Sequence, residues 1–363
     1  MIKKVAIIGT QGLPAQYGGF ETLVENLVTK KTSENICYTV FCSARSYKTR
    51  QKTYNGAKLK YVSFFYANGM QSVFYDIISM IQSIRKYDTI LILGTSGCIF
   101  LPIFRLLFSK NIIVNIDGLE YRREKWGRIA RWFLKLSESK AVRFANIIIA
   151  DNEAIKDYVH NSYAKESTLI AYGADHALKT NISEQEQFSL LDSYFLQPQK
   201  YAFALCRIEP ENNCHLILKA FADSGEKLVF IGNWYENKYG RELHYAYNSS
   251  PNIRLLNSLY DFNQLYTLRK NCRFYVHGHS AGGTNPSLVE AMLTGSSIVA
   301  FDCIYNRKTT EDKALYYTNE KSLMNIIFSF KDDEFSLNGE VMSNIATKRY
   351  TWKSVVKQYE KLY

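Results

Sequence analysis

An arginine closes the apolar run YAFALCR (201–207), directly before the polar IEPENN. A guanidinium at the tip of a core strand needs an anion. That anion is either a ligand in a cleft or a neighbouring acid, Glu209 or Glu211. Further on, FYVHG (274–278) leads into HSAGGTNPSLVEAMLTG, where Gly282, Gly283, Thr284 and Asn285 stand immediately before a helical stretch. Unpaired backbone N–H groups at such a helix start form a nest for phosphate or carboxylate. Glu290 lies inside SLVEAML, where a buried carboxylate requires donors; vicinal hydroxyls would supply them.

The first half holds two more such loops. GTQGLPAQYGGFETLVENL (Gly9 to Leu27) follows the apolar run VAIIG, and Phe20, Leu23, Val24, Leu27 and Val28 recur at helical spacing. The glycines fit neither the dinucleotide-binding pattern nor the P-loop. Tyr17, Gly18, Gly19 and Glu21 are therefore candidates for a phosphate or acceptor loop, with a plain tight turn as the alternative. The second is DGLEYRREKW, which places Asp117 and Glu120 beside Arg122, Arg123 and Lys125. Helix capping is the competing explanation for both acids.

Positioning these loops takes an alternation of strands and helices. Strands are expected at 38–44, 59–65, 89–94, 111–117, 146–151 and 168–173, with helices near 70–86, 98–108, 123–145 and 152–161. A second series begins with the strand 201–207. It continues with a helix near 212–223, strands at 227–232, 253–257 and 274–278, a helix near 285–295 and a strand at 297–302. The pattern predicts two Rossmann-like doubly wound α/β domains facing a central cleft. The first spans 1–173 and the second 200–349, with 174–199 as a polar linker. The amphipathic helix in 350–363 is expected to pack back on the first domain.

Of 363 residues, 47% are hydrophobic, enough for two cores. No run approaches the roughly 20 apolar residues of a membrane span. The chain enters a strand at once, so no signal peptide is expected. Seven scattered cysteines without a C-x-x-C pair read as reduced core residues of a cytoplasmic protein. Charge is lopsided: residues 1–172 hold 24 Lys/Arg and 13 Asp/Glu (24 − 13 = +11), and residues 173–363 hold 21 of each. Eight basic residues lie within 122–143 against Glu124 and Glu138, with Trp126, Ile129, Trp132, Phe133 and Leu136 on one broad side. An anionic membrane surface is the expected partner of this half. A nucleic acid is not expected, since no nucleic-acid motif is present.

Taken together, the motifs resemble the GT-B glycosyltransferases, and the C-terminal half is similar to glycosyltransferase family 4. That family has an Arg after the first strand of its second domain and a Lys five residues later, both against the donor diphosphate. Arg207 and Asn212 stand at those positions. It also has two Glu residues eight apart, where this chain has Gly282 and Glu290. GLPAQYGGFET, DGLEYRREKW, the pair Asp151–Asn152, IAYGAD, RIEPENN and HGHSAGGTNPSLVEA together resemble the bacterial rhamnosyltransferases of capsule and cell-wall polysaccharide synthesis. The resemblance spans almost the whole chain. It implies transfer, with retention, of L-rhamnose from dTDP-L-rhamnose to a sugar on undecaprenyl diphosphate, at the inner face of the plasma membrane. It implies donor contacts from Arg207, Asn212, Gly282, Gly283, Thr284, Asn285 and Glu290, and an acceptor or phosphate loop of Tyr17, Gly18, Gly19, Glu21 and Glu120. Asp117 and Arg207 are the implied catalytic pair. The absence of any D-x-D leads to the expectation of no metal and no cofactor. Another nucleotide-sugar donor, or a nucleotide-sugar 2-epimerase, is the alternative.

Overall fold

The computed structural model describes residues 2–16, 18–63, 71–123 and 126–363. Tyr17, Glu124 and Lys125, and residues 64–70, which take in the end of the strand and the start of the helix expected there, lie outside these. The chain divides into two compact units, Met1–Tyr172 with Trp352–Tyr363, and Gly173–Thr351.

In the first unit the elements are β1 (Lys3–Ile8), α1 (Gly19–Thr29), β2 (Ile36–Ser43), β3 (Thr53–Tyr54), β4 (Ala57–Val62), α2 (Gln71–Ser83), β5 (Thr89–Leu93), α3 (Leu101–Leu107), β6 (Asn111–Asn115), α4 (Arg128–Phe144), β7 (Ile147–Ala150), α5 (Glu153–Tyr163) and β8 (Thr168–Leu169). The sheet runs β3-β4-β2-β1-β5-β6-β7-β8 and is parallel except for the β3–β4 pair. Its strands read as unbroken apolar runs because helices cover both faces; Val5, Ala6, Ile7 and Ile8 are fully buried. Right-handed crossovers put α2 to α5 on one face and α1 on the other.

The second unit contains α6 (Glu184–Ser193), β9 (Ala202–Leu205), α7 (Cys214–Ser224), β10 (Leu228–Ile231), α8 (Lys238–Tyr247), β11 (Ile253–Leu256), α9 (Phe262–Lys270), β12 (Phe274–His277), α10 (Pro286–Leu293), β13 (Ile298–Phe301), α11 (Ile304–Thr309), β14 (Leu315–Tyr317), α12 (Glu320–Ser329) and α13 (Asp332–Arg349). Its sheet is wholly parallel, in the order β11-β10-β9-β12-β13-β14. The last helix, α14 (Trp352–Leu362), packs against α1 in the first unit. Its Trp352, Val355, Val356 and Tyr359 join the core with Leu23, Leu27 and Tyr38.

Three expectations need correction. The segment 174–199 is folded into the second unit and is no linker. Its polarity belongs to a capped helix: the Ser183 hydroxyl accepts the Glu186 N–H at 3.3 Å, and the Glu186 carboxylate accepts the Ser183 N–H at 2.7 Å. The strand expected over 168–173 ends at Leu169. The long helix expected from 123 starts at Arg128, after a 3-10 turn over Glu120–Arg122, because Gly127 is extended and caps it.

Candidate active site

In open α/β sheets ligands bind beyond the carboxyl ends of the strands, where the strand order reverses. In the second unit that point lies between β9 and β12, which pair with each other while their chains continue in opposite directions. The loops leaving these two strands carry Arg207 and the GGTN turn. They are laced together: Ser280 donates its N–H and its hydroxyl to the Glu211 carbonyl at 2.9 and 2.8 Å, and the Asn213 amide donates to the Gly278 carbonyl at 2.9 Å. Gly278 is required here, since a Cβ would lie 2.1 Å from the Asn212 carbonyl oxygen.

Arg207 sits on a backbone held from several sides. Its carbonyl accepts from the Asn212 amide at 2.7 Å, the Ile208 N–H donates to Asn233 at 2.7 Å, and the Ile208 carbonyl accepts from Asn237 at 2.7 Å. The Arg207 guanidinium is half-buried and forms no ion pair or hydrogen bond among the described residues. A fixed backbone with an uncommitted cation is a preorganised anion site. The alternative, a pairing with Glu209 or Glu211, is not made.

The neighbouring candidates divide into groups that face a ligand and groups that build the loop. Asn212 is buried, and its side chain joins the Arg207 carbonyl to His279 Nδ1. These bonds fix the backbone that carries Arg207. Gly282 has φ +131° and lies over the His279 ring, where a Cβ would meet Nε2 at 2.7 Å. Asn285 caps α10 by accepting the Ser287 N–H at 3.0 Å, and Pro286 opens the helix. Thr284 is buried and Gly283 half-exposed beside it. Glu290 is not a bare carboxylate. One oxygen takes the guanidinium of Arg269, only 3% exposed, and the other lies 3.1 Å from His176 Nε2. Burial opposes ionisation, yet Arg269 and His176 outweigh it and hold the carboxyl below its ordinary range. His176 and Arg269 carry no sequence signal that links them to Glu290.

In the first unit the reversal lies between β1 and β5. Gly9, with φ +90°, lets the chain pass the Leu93 carbonyl, which a Cβ would approach to 2.1 Å. The loop is clamped by Glu21, which is buried. Its Oε1 accepts from the Thr10 hydroxyl at 3.0 Å and the Gln11 N–H at 2.7 Å. Gly18, at φ +120°, leaves room for the other oxygen, and it caps α1 without a side chain. Glu21 thus clamps its own loop, and Gly19 is half-buried, where a Cβ would rest 3.6 Å from the Tyr172 hydroxyl.

Asp117 follows β6 and adopts φ +56°, a region sparsely used by non-glycine residues. Asn115 holds it there. Its Oδ1 accepts the Asp117 N–H at 2.9 Å, while its amide donates to the Tyr359 hydroxyl of α14 at 2.7 Å. Asn115 and Tyr359 are buried and were missed in the sequence, although an Asn ending the apolar NIIVN is a weak signal. The Tyr172 hydroxyl resists ionisation, first through burial and then through Asp117 and Asp151 nearby. Asp117 itself is half-exposed. Glu120 binds Arg123 at 2.7 Å and the Trp126 indole N–H at 3.1 Å, so it shapes its own turn.

Comparison with known proteins gives this arrangement a class. Residues 192–334 match the family model described as glycosyl transferases group 1, and residues 2–175 match a domain of unknown function (DUF1972). An uncharacterized glycosyltransferase of Methanocaldococcus jannaschii, MJ1069, is 22% identical over 95% of this chain and 94% of its own length. Sucrose-phosphate synthase of Thermosynechococcus elongatus superposes with a TM-score of 0.82 at 13% identity, covering 99% of this chain and 98% of that one. HepE of Anabaena, in complex with UDP-glucose, gives 0.77 at 15% identity with the same coverage. The fold is therefore the two-domain GT-B-like α/β fold with parallel sheets. The protein is a glycosyltransferase carrying a group 1 domain in its second unit.

Proposed function

We propose that the protein transfers L-rhamnose from dTDP-L-rhamnose, with retention, to a sugar on undecaprenyl diphosphate during bacterial surface polysaccharide synthesis. Its place of action is the cytoplasmic face of the plasma membrane. The observation that carries glycosyl transfer is the uncommitted Arg207 at the β9–β12 reversal, beside the start of α10. The rhamnose donor and lipid-linked acceptor rest on the motif set GLPAQYGGFET, DGLEYRREKW, RIEPENN and HGHSAGGTNPSLVEA.

The bond between the sugar anomeric carbon and the donor phosphate oxygen breaks as the acceptor oxygen bonds to that carbon. Negative charge grows on the departing diphosphate. Arg207 and the N–H groups around Gly282, Gly283 and Thr284 stabilise it. The hydroxyl proton passes to a phosphate oxygen or to Asp117, which also orients the hydroxyl. No metal is needed for this, since Arg207 and the nest supply the positive charge.

A UDP-sugar donor is the second reading, favoured by the likeness to HepE bound to UDP-glucose. Calorimetric titration with dTDP-L-rhamnose, UDP-glucose and dTDP, with and without EDTA, separates the two. Preferential, EDTA-insensitive binding of dTDP-L-rhamnose is expected. Preference for UDP-glucose would transfer the assignment to the second reading.

A further inference from the structure

The first unit exposes large apolar side chains on α3 and α4, and their arrangement is not that of an ordinary domain helix. The Ser137 hydroxyl bonds the Thr95 and Ser96 carbonyls at the carboxyl end of β5. The nine residues of α4 before Ser137 therefore run about 13 Å past that edge, at 1.5 Å per residue. None of them is buried, whereas Ser137, Glu138, Ala141 and Val142 are. On this overhang Ile129 is 84% and Trp132 66% exposed. On α3, which packs beside α4, Ile103, Leu106 and Leu107 share one side and are 52%, 85% and 63% exposed.

The exposed charges on the same two helices are of one sign. Their sequences, LPIFRLL and RIARWFLKLSESKAVRF, contain one acid, Glu138. That acid is buried and taken by Lys135 at 3.1 Å and by the hydroxyls of Tyr158 and Tyr163 at 2.6 and 2.7 Å. Lys135 itself lies against the rings of Tyr121, Tyr158 and Tyr163, 4.6 to 5.0 Å from their centres, so its ammonium is directed toward that cluster. Arg128, Arg131 and Arg143 remain exposed.

We propose that the outer side of α3 and α4 docks on an anionic bilayer, with Trp132, Ile129, Leu106 and Leu107 entering the interface and Arg128 and Arg131 facing the lipid phosphates. Exposed apolar residues on two helices whose exposed charges are basic suit the boundary between acyl chains and anionic headgroups. A nucleic acid would match the charge but not the leucines. The inference rests on the proposed membrane placement and names the surface responsible for it.

The test uses vesicles of phosphatidylglycerol and phosphatidylcholine, with mid-chain brominated lipid as quencher. Trp234 and Trp352 are fully buried and Trp126 is half-buried against Glu120, so Trp132 dominates the response. Expected are a blue shift and bromine quenching on phosphatidylglycerol vesicles, both absent in Trp132→Phe. Ile129→Ser/Leu106→Ser/Leu107→Ser should bind at least about tenfold more weakly, with an unchanged circular dichroism spectrum. Arg128→Glu/Arg131→Glu should lose the salt-sensitive part of binding. No binding to phosphatidylglycerol would overturn the placement itself. Binding without quenching, or undiminished binding by the serine variant, would overturn this surface and leave the placement standing. Self-association abolished by the serine variant, without lipid binding, would assign the face to a second copy of the chain. None of these readouts depends on turnover, so they are separable from the donor and acceptor readings.

Discussion

Arg207 is held by its backbone and free at its guanidinium, so its removal should affect chemistry and not folding. Arg207→Ala is expected to lower transfer about 100-fold, the scale of losing a donor to transition-state charge, with an unchanged melting temperature. Near-normal turnover would remove it from the site. Glu290 behaves differently. Its loss leaves the guanidinium of Arg269 buried without its counter-charge, a defect worth about 3 kcal/mol or more. Glu290→Gln is therefore expected to destabilise the protein in urea titration, besides any effect on the donor. Because the folded carboxyl titrates below its ordinary 4.5, the ion pair contributes fully above that pH and is lost as pH falls through the depressed value. Unchanged urea stability would restore the view of Glu290 as a pure ligand contact. Arg207 was legible because a charge ending an apolar run is conspicuous. The partners of Glu290 were not, because burial and approach in space leave no local mark. The same holds for Glu21 and Asn212, whose bonds to Thr10 and Gln11 and to the Arg207 carbonyl brace their loops.

Most strands and long helices were legible from their periodicity, since parallel strands buried on both faces are unbroken apolar runs. The polar segment 174–199 was misread because a capping box looks like a linker in composition. Helix α4 was read with Trp126, Ile129, Trp132, Phe133 and Leu136 on one side toward an anionic membrane; it starts at Arg128, and of these five Ile129 and Trp132 are exposed while the other three are half-buried. How an element can clamp a loop without a motif is seen at α2. Its Asp76 accepts a hydrogen bond from the Ser96 hydroxyl and packs where a Cβ on Gly97 would fall, 2.2 Å from its own Cβ. Burial pushes the Asp76 carboxyl up to about 7, against the hydrogen bonds from Ser96 and Gly97. Between its ordinary value of 3.8 and about 7, the unfolded chain has lost this proton and the native protein keeps it. Stability from this group therefore falls as pH rises through that window, by roughly 4 kcal/mol at most. Asp76→Asn should remove that fall, so its melting temperature relative to wild type should be higher at pH 8 than at pH 5. A pH-independent difference would contradict the buried-acid reading.

For the chain as a whole, the two units are unlike in charge although alike in architecture, and the last helix belongs to the first of them. Trp352 and Tyr359 are fully buried in that core, and Tyr359 also anchors Asn115 behind Asp117. Truncation at Thr351 should therefore unfold the first unit while the second keeps its structure. Limited proteolysis should then cut first within residues 2–172; equal protection of both units would contradict this. The most direct measurement of the proposed reaction is incubation with dTDP-L-rhamnose and an undecaprenyl-diphosphate-linked sugar in EDTA, followed by mass spectrometry and NMR of the product. The expected result is an acceptor heavier by one deoxyhexose, whose anomeric configuration matches the donor, and loss of that product in Arg207→Ala. Turnover that requires added metal, inversion at the anomeric carbon, or product formation only from a different nucleotide sugar would contradict it.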